Sequence, residues 1–156
     1  MLKLMVETDS INLIKVSKIL DERGWMGSEI IGNKGSRGLF LVIQHADRYP
    51  EKQRKYLAML KEAVDHDRAK PHNLSYLDLA YLEDRVAVNN MGEKQVYGIQ
   101  MDIDPETEEY FVYPLIDPDN VDKRRSEVGL EPMSEYLAFW KLSWDVEEYK
   151  ELLKKM

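Results

Sequence analysis

"LFLVIQHADRYP", residues 39–50, places five apolar residues in a row and then Gln44, His45 and Asp47 ahead of a proline. Residues 36–46 are apolar nearly all round a helical projection, which predicts a short helix in the centre of the fold. The three hydrogen-bonding side chains stand at the end of the most hydrophobic run of the chain. This stretch therefore predicts both the middle of the core and the place to look for a site.

Length and composition are those of one globular domain. The chain has 156 residues and no cysteine. Such a length buries a sizeable core, so we predict a single domain over residues 1–156. The absence of cysteine excludes disulfides, thiolate metal ligands and thiol catalysis. The first ten residues contain no apolar run long enough for a signal peptide or a membrane span, so the sequence predicts a soluble, cytoplasmic protein as written.

The charge balance restricts the partners. There are 29 acidic and 22 basic residues, for a formal net charge of -7. A negative surface repels the phosphates of nucleic acids and anionic membranes, so neither is a predicted partner. A basic protein or a cation suits this surface better.

Helical periodicity and end signals predict further helices on both sides of residues 36–46. Asp9 and Ser10 suit the cap of a first helix that ends before Gly24. Its apolar stripe consists of Leu13, Val16 and Leu20. Residues 27–38 hold four glycines in twelve residues, which predicts a turn-rich connector. A phosphate-binding loop is the alternative, but the glycine spacing of the known phosphate-loop motifs is absent.

Five more helical segments are predicted downstream. Pro50 suits the first position of a surface helix whose inward stripe is Tyr56, Leu57, Leu60 and Val64. The next segment, residues 74–88, is apolar on most sides. A helix from Asp117-Pro118 to Gly129 and two segments at residues 134–142 and 144–156 complete the helical part.

From Gln95 the hydrophobic period changes to two. Residues 95–103 alternate, "DPETEE" turns the chain, and residues 110–115 return, which predicts an antiparallel β-hairpin. The predicted buried face carries Tyr97, Ile99, Met101 and Ile103. Gly98 is predicted to leave a gap where a backbone or a ligand approaches closely. The fold class is therefore α+β, a mostly α-helical single domain with one antiparallel β-hairpin.

Several charged residues fall on apolar helix faces. Asp84 lies in the middle of the inward side of its helix. Helical spacing groups Arg124 and Arg125 with two inward-pointing valines, so at least one of the arginines is predicted to point inward. A charge taken out of water costs several kcal/mol unless it is paired and hydrogen-bonded. We therefore predict a buried ionic cluster in which Arg124 or Arg125 meets Asp84 or Asp47, with Arg85 nearby.

His45 and Asp47 converge only if their helix ends by Ala46. A histidine has a pKa of about 6.5, which suits proton transfer at neutral pH. The alternative is a histidine that is satisfied at the end of a helix or in the core. His45, Asp47, His66 and His72 show no paired metal-ligand spacing, so the sequence predicts no metal site and no cofactor.

Five motifs occur in order: "SINLIKV.KIL...GW", "LVIQHAD", "LEDRVAV", "KQVYGIQ" and "DPE...YFVYPL.DP.NVDKRR.EVGL". On these motifs the chain resembles a bacterial domain-of-unknown-function family, family 6624. The resemblance implies no established activity. It does imply that similar members often carry an export or lipoprotein leader. The hallmark positions are Gln44, His45, Asp47, Asp84, Arg85, Gln95, Tyr97, Gly98, Gln100, Asp117, Arg124 and Arg125.

Two functional hypotheses follow. The leading one is a polar pocket that binds or hydrolyses a small anionic or sugar-like ligand. Its catalytic candidates are His45, Asp47 and Asp84, and its ligand-binding candidates are Gln44, Arg85, Gln95, Tyr97, Gln100, Arg124 and Arg125. The alternative is a non-catalytic interaction protein, such as an immunity protein against a basic toxin. Side chains that line a concavity favour the first hypothesis, and side chains that are sealed inside favour a structural role.

Aromatic residues are concentrated near the C-terminus. Tyr136, Phe139, Trp140 and Trp144 have the spacing of three and four that a core-facing helix needs. That spacing favours a place in the core. The alternative is an exposed anchor for a partner.

Overall fold

The structure is a computed structural model that describes residues 2–66 and 75–154. The chain divides into two compact units, unit 1 at Met1–Leu82 and unit 2 at Glu83–Met156. The predicted fold class is confirmed, because the described residues are mostly helical and contain one two-stranded antiparallel sheet. The single domain over residues 1–156 stays a prediction.

Unit 1 is built from helices. They are α1 at Leu2–Arg23, α2 at Ser28–Gln44, α3 at Pro50–Asp65 and α4 at Ser75–Val86, whose last four residues belong to unit 2. The helix α1 packs on α2, and α2 packs on α3.

The first helix is longer than predicted. It begins at Leu2, so Asp9 and Ser10 lie within α1 and do not cap it. The predicted stripe of Leu13, Val16 and Leu20 is buried. The helix ends before Gly24, whose φ of 72° is the left-handed conformation that glycine adopts without steric cost.

The second helix replaces the predicted connector. Residues 28–44 are helical, interrupted at Gly32, where φ is 72° and ψ is 163°. The prediction of a turn-rich segment was wrong because Leu39, Phe40 and Ile43, farther along the same helix, are buried and stabilise it by packing. Glycine content weakened the helix signal but did not decide the structure.

The third helix begins at Pro50 as predicted. Its buried residues are Gln53, Tyr56, Leu60, Ala63 and Val64, whereas Leu57 is only half-buried. The Tyr56 hydroxyl donates to Asp21 Oδ1 at 3.0 Å and thereby joins α3 to α1.

Unit 2 contains the sheet and the remaining short helices. The strands are β1 at Met101–Ile103 and β2 at Tyr110–Val112, and the helices are α5 at Val121–Glu127, α6 at Met133–Ala138 and α7 at Val146–Leu153. A π-helical turn at Ala87–Met91 follows α4, and a 3-10 turn at Pro118–Asn120 precedes α5. The hydrophobic core of unit 2 includes Val112, Leu115, Val121, Met133, Leu137 and Tyr149.

The hairpin is shorter than predicted. The paired residues are Met101 with Val112, Asp102 with Phe111 and Ile103 with Tyr110. Residues 96–100 form no strand, and Gln95 contributes only an isolated bridge to Leu115. The predicted buried face is only partly correct. Ile99 is buried, Tyr97 and Met101 are half-buried, and Ile103 is 45% exposed.

Candidate functional site

Unit 1 contains a groove that we call the His45 groove. Its cavity volume is about 470 Å³. It is lined by Asp9, Ser10, Leu13, Leu41, Val42, His45, Ala46, Asp47, Arg48 and Tyr49. The groove thus joins α1 to the end of α2 and the turn that follows it.

The end of α2 places the imidazole in the groove. The last helical residue is Gln44, and His45 caps the helix with a backbone N–H that donates to the Leu41 carbonyl at 3.1 Å. The helix ends before Ala46, which was the condition for His45 and Asp47 to converge, and both residues line the groove. The His45 side chain is exposed, so the core interpretation is excluded.

Gln53 holds the segment that carries these residues. Its side chain is fully buried in α3. The amide nitrogen donates to the carbonyls of Ile43 at 3.1 Å and Gln44 at 2.9 Å, and to Asp47 Oδ1 at 3.2 Å. One side chain therefore binds both the C-terminal carbonyls of α2 and the carboxylate that follows them.

The opposite wall comes from α1. Asp9 is exposed and Ser10 is half-buried on the turn before Leu13. The Ser10 hydroxyl lies 3.3 Å from the Tyr49 hydroxyl, so a hydrogen bond joins α1 to the turn after α2. Polar groups thus line both sides of the groove.

The mixture of side chains in the groove has a clear chemical character. Asp9 and Asp47 supply carboxylates, Arg48 a guanidinium, and Ser10 and Tyr49 hydroxyl groups. These groups include both donors and acceptors. The remaining lining is aliphatic apart from His45, so an apolar wall faces polar groups.

In unit 2, Asp84 binds a loop. Its Oδ1 accepts hydrogen bonds from the backbone N–H of Val96 at 2.7 Å and of Tyr97 at 3.1 Å, and its Oδ2 accepts from Ile99 N–H at 3.0 Å. We call residues 96–99 the clamped loop. Burial raises the pKa of Asp84, and the three backbone hydrogen bonds oppose that shift.

The two arginines bind the carbonyls of the same loop. Arg124 Nε donates to Val96 O at 2.9 Å, and Arg125 Nη1 donates to Tyr97 O at 2.7 Å. The Arg125 side chain is fully buried, and the Arg124 side chain is 19% exposed. A carboxylate therefore binds the N–H groups of the clamped loop while two guanidinium groups bind its carbonyls.

Each arginine has further carbonyl partners. Arg124 Nη2 donates to Ile116 O at 2.6 Å and to Asp117 O at 3.1 Å. Arg125 Nε donates to Glu131 O at 2.5 Å, and its guanidinium lies 4.8 Å from the centre of the Tyr136 ring. Both side chains thus tie several segments of unit 2 together.

The predicted ionic cluster needs a correction at Asp84. This carboxylate is buried as expected, but it is bonded to backbone N–H groups rather than to Arg124 or Arg125. The physical reason is that residues 96–99 lie outside any strand, so their buried backbone groups need side-chain partners. A pairing of Asp47 with an arginine stays a prediction.

The Gln95 side chain also binds backbone groups, including those of Gln100. Gln95 is fully buried, and its Nε2 donates to Gln100 O at 3.0 Å and Tyr113 O at 2.9 Å. Its Oε1 accepts from Gln100 N–H at 2.8 Å. The half-buried Tyr97 has a pKa raised to about 12, chiefly because of burial and then because of the nearby Glu83 carboxylate.

Gly98 does not leave a gap. Its φ of 73° is left-handed, and a Cβ at this position would lie 2.8 Å from Met133 Sδ and 3.1 Å from Leu115 Cδ1. The space is filled by the core of unit 2, so the predicted approach of a ligand at Gly98 was wrong. Glycine is required here by backbone conformation and by packing.

The structure also locates the remaining candidates. Arg85 is half-buried in the last turn of α4. Gln44 ends α2, and its carbonyl accepts from Gln53. In the part of the chain that the structure describes, no three His, Asp or Glu side chains form a cluster that could hold a metal ion. His72, one of the residues weighed for a metal site, lies outside the described residues.

A model of a protein family matches residues 1–147 of the 156-residue chain, and its description is a family of unknown function, DUF6624. The chain belongs to the DUF6624 family. No curated protein and no solved structure matches this DUF6624 chain. Across residues 2–66 and 75–154, none of its helices has both the length and the apolarity that crossing a membrane requires.

Sequence reasoning missed Asp9, Ser10 and Gln53. Asp9 lies four residues before Leu13, so it lies on the same side of α1 as the buried stripe, one turn closer to the N-terminus, although it is itself exposed. Gln53 lies three residues before Tyr56 on the inward stripe of α3. A polar residue on an apolar stripe was the available signal in both places, as it was for Asp84.

Proposed function

We propose that the His45 groove binds a small, neutral, polyhydroxylated ligand, such as a sugar or a sugar-like compound. One observation carries this proposal. An exposed imidazole, two carboxylates and two hydroxyl groups line one concavity together with an aliphatic wall. Ligand sites in proteins combine a mostly apolar lining with a few convergent polar groups in this way.

The charges favour a neutral ligand over an anion. Asp9 and Asp47 face a single arginine, Arg48, among the residues that line the groove. Two carboxylates repel an anionic group, and one exposed guanidinium offsets only part of that repulsion. Two of the arginines predicted to bind a ligand, Arg124 and Arg125, instead donate to backbone carbonyls of unit 2.

The shape and the aliphatic wall support a sugar-like ligand. Leu13, Leu41 and Val42 offer a surface on which the C–H face of a sugar ring would pack. The cavity of about 470 Å³ falls within the range of roughly 300 to 1,000 Å³ that is usual for ligand sites. Hydroxyl groups of the ligand would then exchange hydrogen bonds with the carboxylates and with Tyr49.

For a ligand that is also hydrolysed, we assign proton transfer to His45. We assign to Asp47 the orientation of the His45 imidazole. An exposed imidazole in a groove reaches a bound ligand, which a buried one does not. Asp84 has no part in this step, because its two carboxylate oxygens are bonded to the clamped loop. The proposed chemistry therefore lies entirely in unit 1.

The test is a ligand screen with a matched histidine control. Saturation-transfer NMR against a panel of mono- and disaccharides should detect binders to the wild-type chain. His45→Gln should weaken the strongest binder by about tenfold. His66→Gln should leave it unchanged, because His66 is likewise an exposed helix cap with nearly the same backbone angles but lies outside the groove.

A second variant tests binding at the opposite wall, and a hydrolysis assay separates binding from catalysis. Tyr49→Phe removes the hydroxyl that faces Ser10 and should also weaken binding. Nitrophenyl glycosides of the sugars that bind then report hydrolysis, which His45→Gln should abolish beyond its effect on binding. A panel without any binder, or equal loss in His45→Gln and His66→Gln, would overturn the proposal.

A further inference from the structure

Unit 2 exposes a group of large apolar side chains that we call the aromatic patch. It consists of Ile103, Tyr110, Phe139 and Trp140, which are 45%, 39%, 81% and 39% exposed. Contiguous apolar surface of this kind is unusual in soluble domains and often marks an interaction site. The expectation that Phe139 and Trp140 lie in the core was wrong.

The end of α6 explains the exposure. The helix ends at Ala138, and the chain then turns back with Lys141 in a left-handed conformation, φ 61°. The turn is closed by Leu142 N–H, which donates to Leu137 O at 3.1 Å. Because Leu137 occupies the core, the turn directs Phe139 away from it.

The aromatic patch is continuous with one face of the hairpin. Ile103 and Tyr110 are directly paired across the two strands, so their side chains share a face. The Tyr110 and Trp140 rings lie 5.0 Å apart, centre to centre, which joins the hairpin to the turn after α6. The two ring planes are tilted by 52°, and exposed aromatic residues in contact are typical anchors of protein interfaces.

The same hairpin carries a dense negative charge. Its turn, residues 104–109, contains Asp104, Glu106, Glu108 and Glu109 and directly connects Ile103 to Tyr110. Residues 83–156 hold 18 acidic and 9 basic residues, whereas residues 1–82 hold 11 acidic and 13 basic ones. The net negative charge of the chain is therefore concentrated in the unit that bears the aromatic patch.

We propose that the aromatic patch is the docking surface for a basic polypeptide segment that also carries apolar side chains. Its apolar side chains would bury against Phe139 and Trp140, and its lysines or arginines would face the carboxylates of the hairpin turn. Charge complementarity speeds encounter and excludes acidic partners, whereas the aromatic residues supply most of the affinity. This surface lies in unit 2 and is independent of the ligand proposed for the His45 groove.

Three labelled peptides of equal length test this proposal by fluorescence anisotropy. The first contains lysine and leucine, the second lysine and serine, and the third glutamate and leucine. The lysine–leucine peptide should bind at least about tenfold more tightly than either of the others, because it alone matches both charge and apolar surface. Its affinity should also fall as salt is raised.

Surface variants identify where the peptide binds. Phe139→Ser should weaken the lysine–leucine peptide by about tenfold. The triple variant Glu106→Gln, Glu108→Gln, Glu109→Gln should weaken it and flatten its salt dependence. Ile14→Ser is the matched control, because Ile14 is 65% exposed on α1, and it should leave the affinity unchanged. Phe139→Ser should also melt like the wild type, since the side chain is 81% exposed.

Three outcomes would overturn the proposal. One is equal affinity for the lysine–leucine and glutamate–leucine peptides. Another is an unchanged affinity in Phe139→Ser. The third is a wild-type dimer in sedimentation velocity that Phe139→Ser converts to a monomer, because a second copy of the chain would then be the occupant of the aromatic patch.

Discussion

The clamped loop and the His45 groove make opposite use of polar residues that the sequence places beside apolar ones. At the clamped loop, Asp84, Arg124 and Arg125 bind the protein's own backbone. At the groove, His45 is exposed and lines a concavity. The comparison teaches that burial of a charged residue does not mark a site until its hydrogen-bond partners are known.

The largest expected effect on stability comes from removing the Asp84 carboxylate that binds the clamped loop. Asp84→Ala removes the acceptor of three buried N–H groups and should lower the free energy of unfolding by about 4 kcal/mol. Asp84→Asn keeps one acceptor oxygen and should cost roughly half as much. Urea denaturation measures both, with the exposed Glu135→Ala as control. Equal stability of wild type and Asp84→Ala would contradict the structural role.

The next largest effect on stability is expected to differ between Arg125 and Arg124. Arg125→Met leaves the carbonyls of Tyr97 and Glu131 without their donor in a buried place and should cost about 3 kcal/mol. Arg124→Met should cost about 1 kcal/mol, because water reaches its partners more easily. The same denaturation series measures the difference, and a reversed order would show that burial is not what sets the cost.

A smaller effect depends on pH and tests a buried charge in unit 1. Asp78 is 4% exposed, and burial raises its pKa to about 6, although the Arg37 guanidinium at 3.0 Å opposes the shift. The folded protein therefore retains a proton that the unfolded chain releases, so Asp78 lowers stability as pH rises from about 4 to about 6.

Asp78→Asn should remove this contribution. The stability of the variant relative to wild type should rise between pH 4 and pH 6 and then level off. Chemical denaturation across that range measures it, with the exposed Asp65→Asn as control. A difference between Asp78→Asn and wild type that does not change with pH would contradict a raised pKa.

The smallest expected effect lies at the groove. His45→Gln should change the free energy of unfolding by less than about 0.5 kcal/mol, because the side chain is exposed and glutamine continues to cap α2. A thermal melt beside His66→Gln measures this. A loss as large as that of Arg125→Met would mean that His45 belongs with the structural residues after all.

The sequence predicted those features that depend on local periodicity. The burial of Asp84 and of one of the two arginines follows from their places among apolar residues on a helix, although which arginine is buried does not. The breaks at Gly24 and Pro50 follow from the residues themselves. These signals act within one or two turns of the chain.

Features that depend on distant partners were not predictable in the same way. The alternation of residues 95–100 suits a strand, yet Asp84 and two arginines hold part of it as a loop, and they come from other helices. The wall of the groove that α1 supplies was hidden because the helix extends past its expected cap. At residues 95–100, tertiary hydrogen bonds outweigh the strand propensity of the segment.

Gln53 offers protein designers an indirect control over the groove. One buried amide sets where the chain runs after α2, and it lies behind the lining instead of within it. A shorter amide at position 53 would therefore let the turn after α2 shift while every lining side chain remains wild-type. The ligand preference of the His45 groove could then be tuned by changing residue 53 alone.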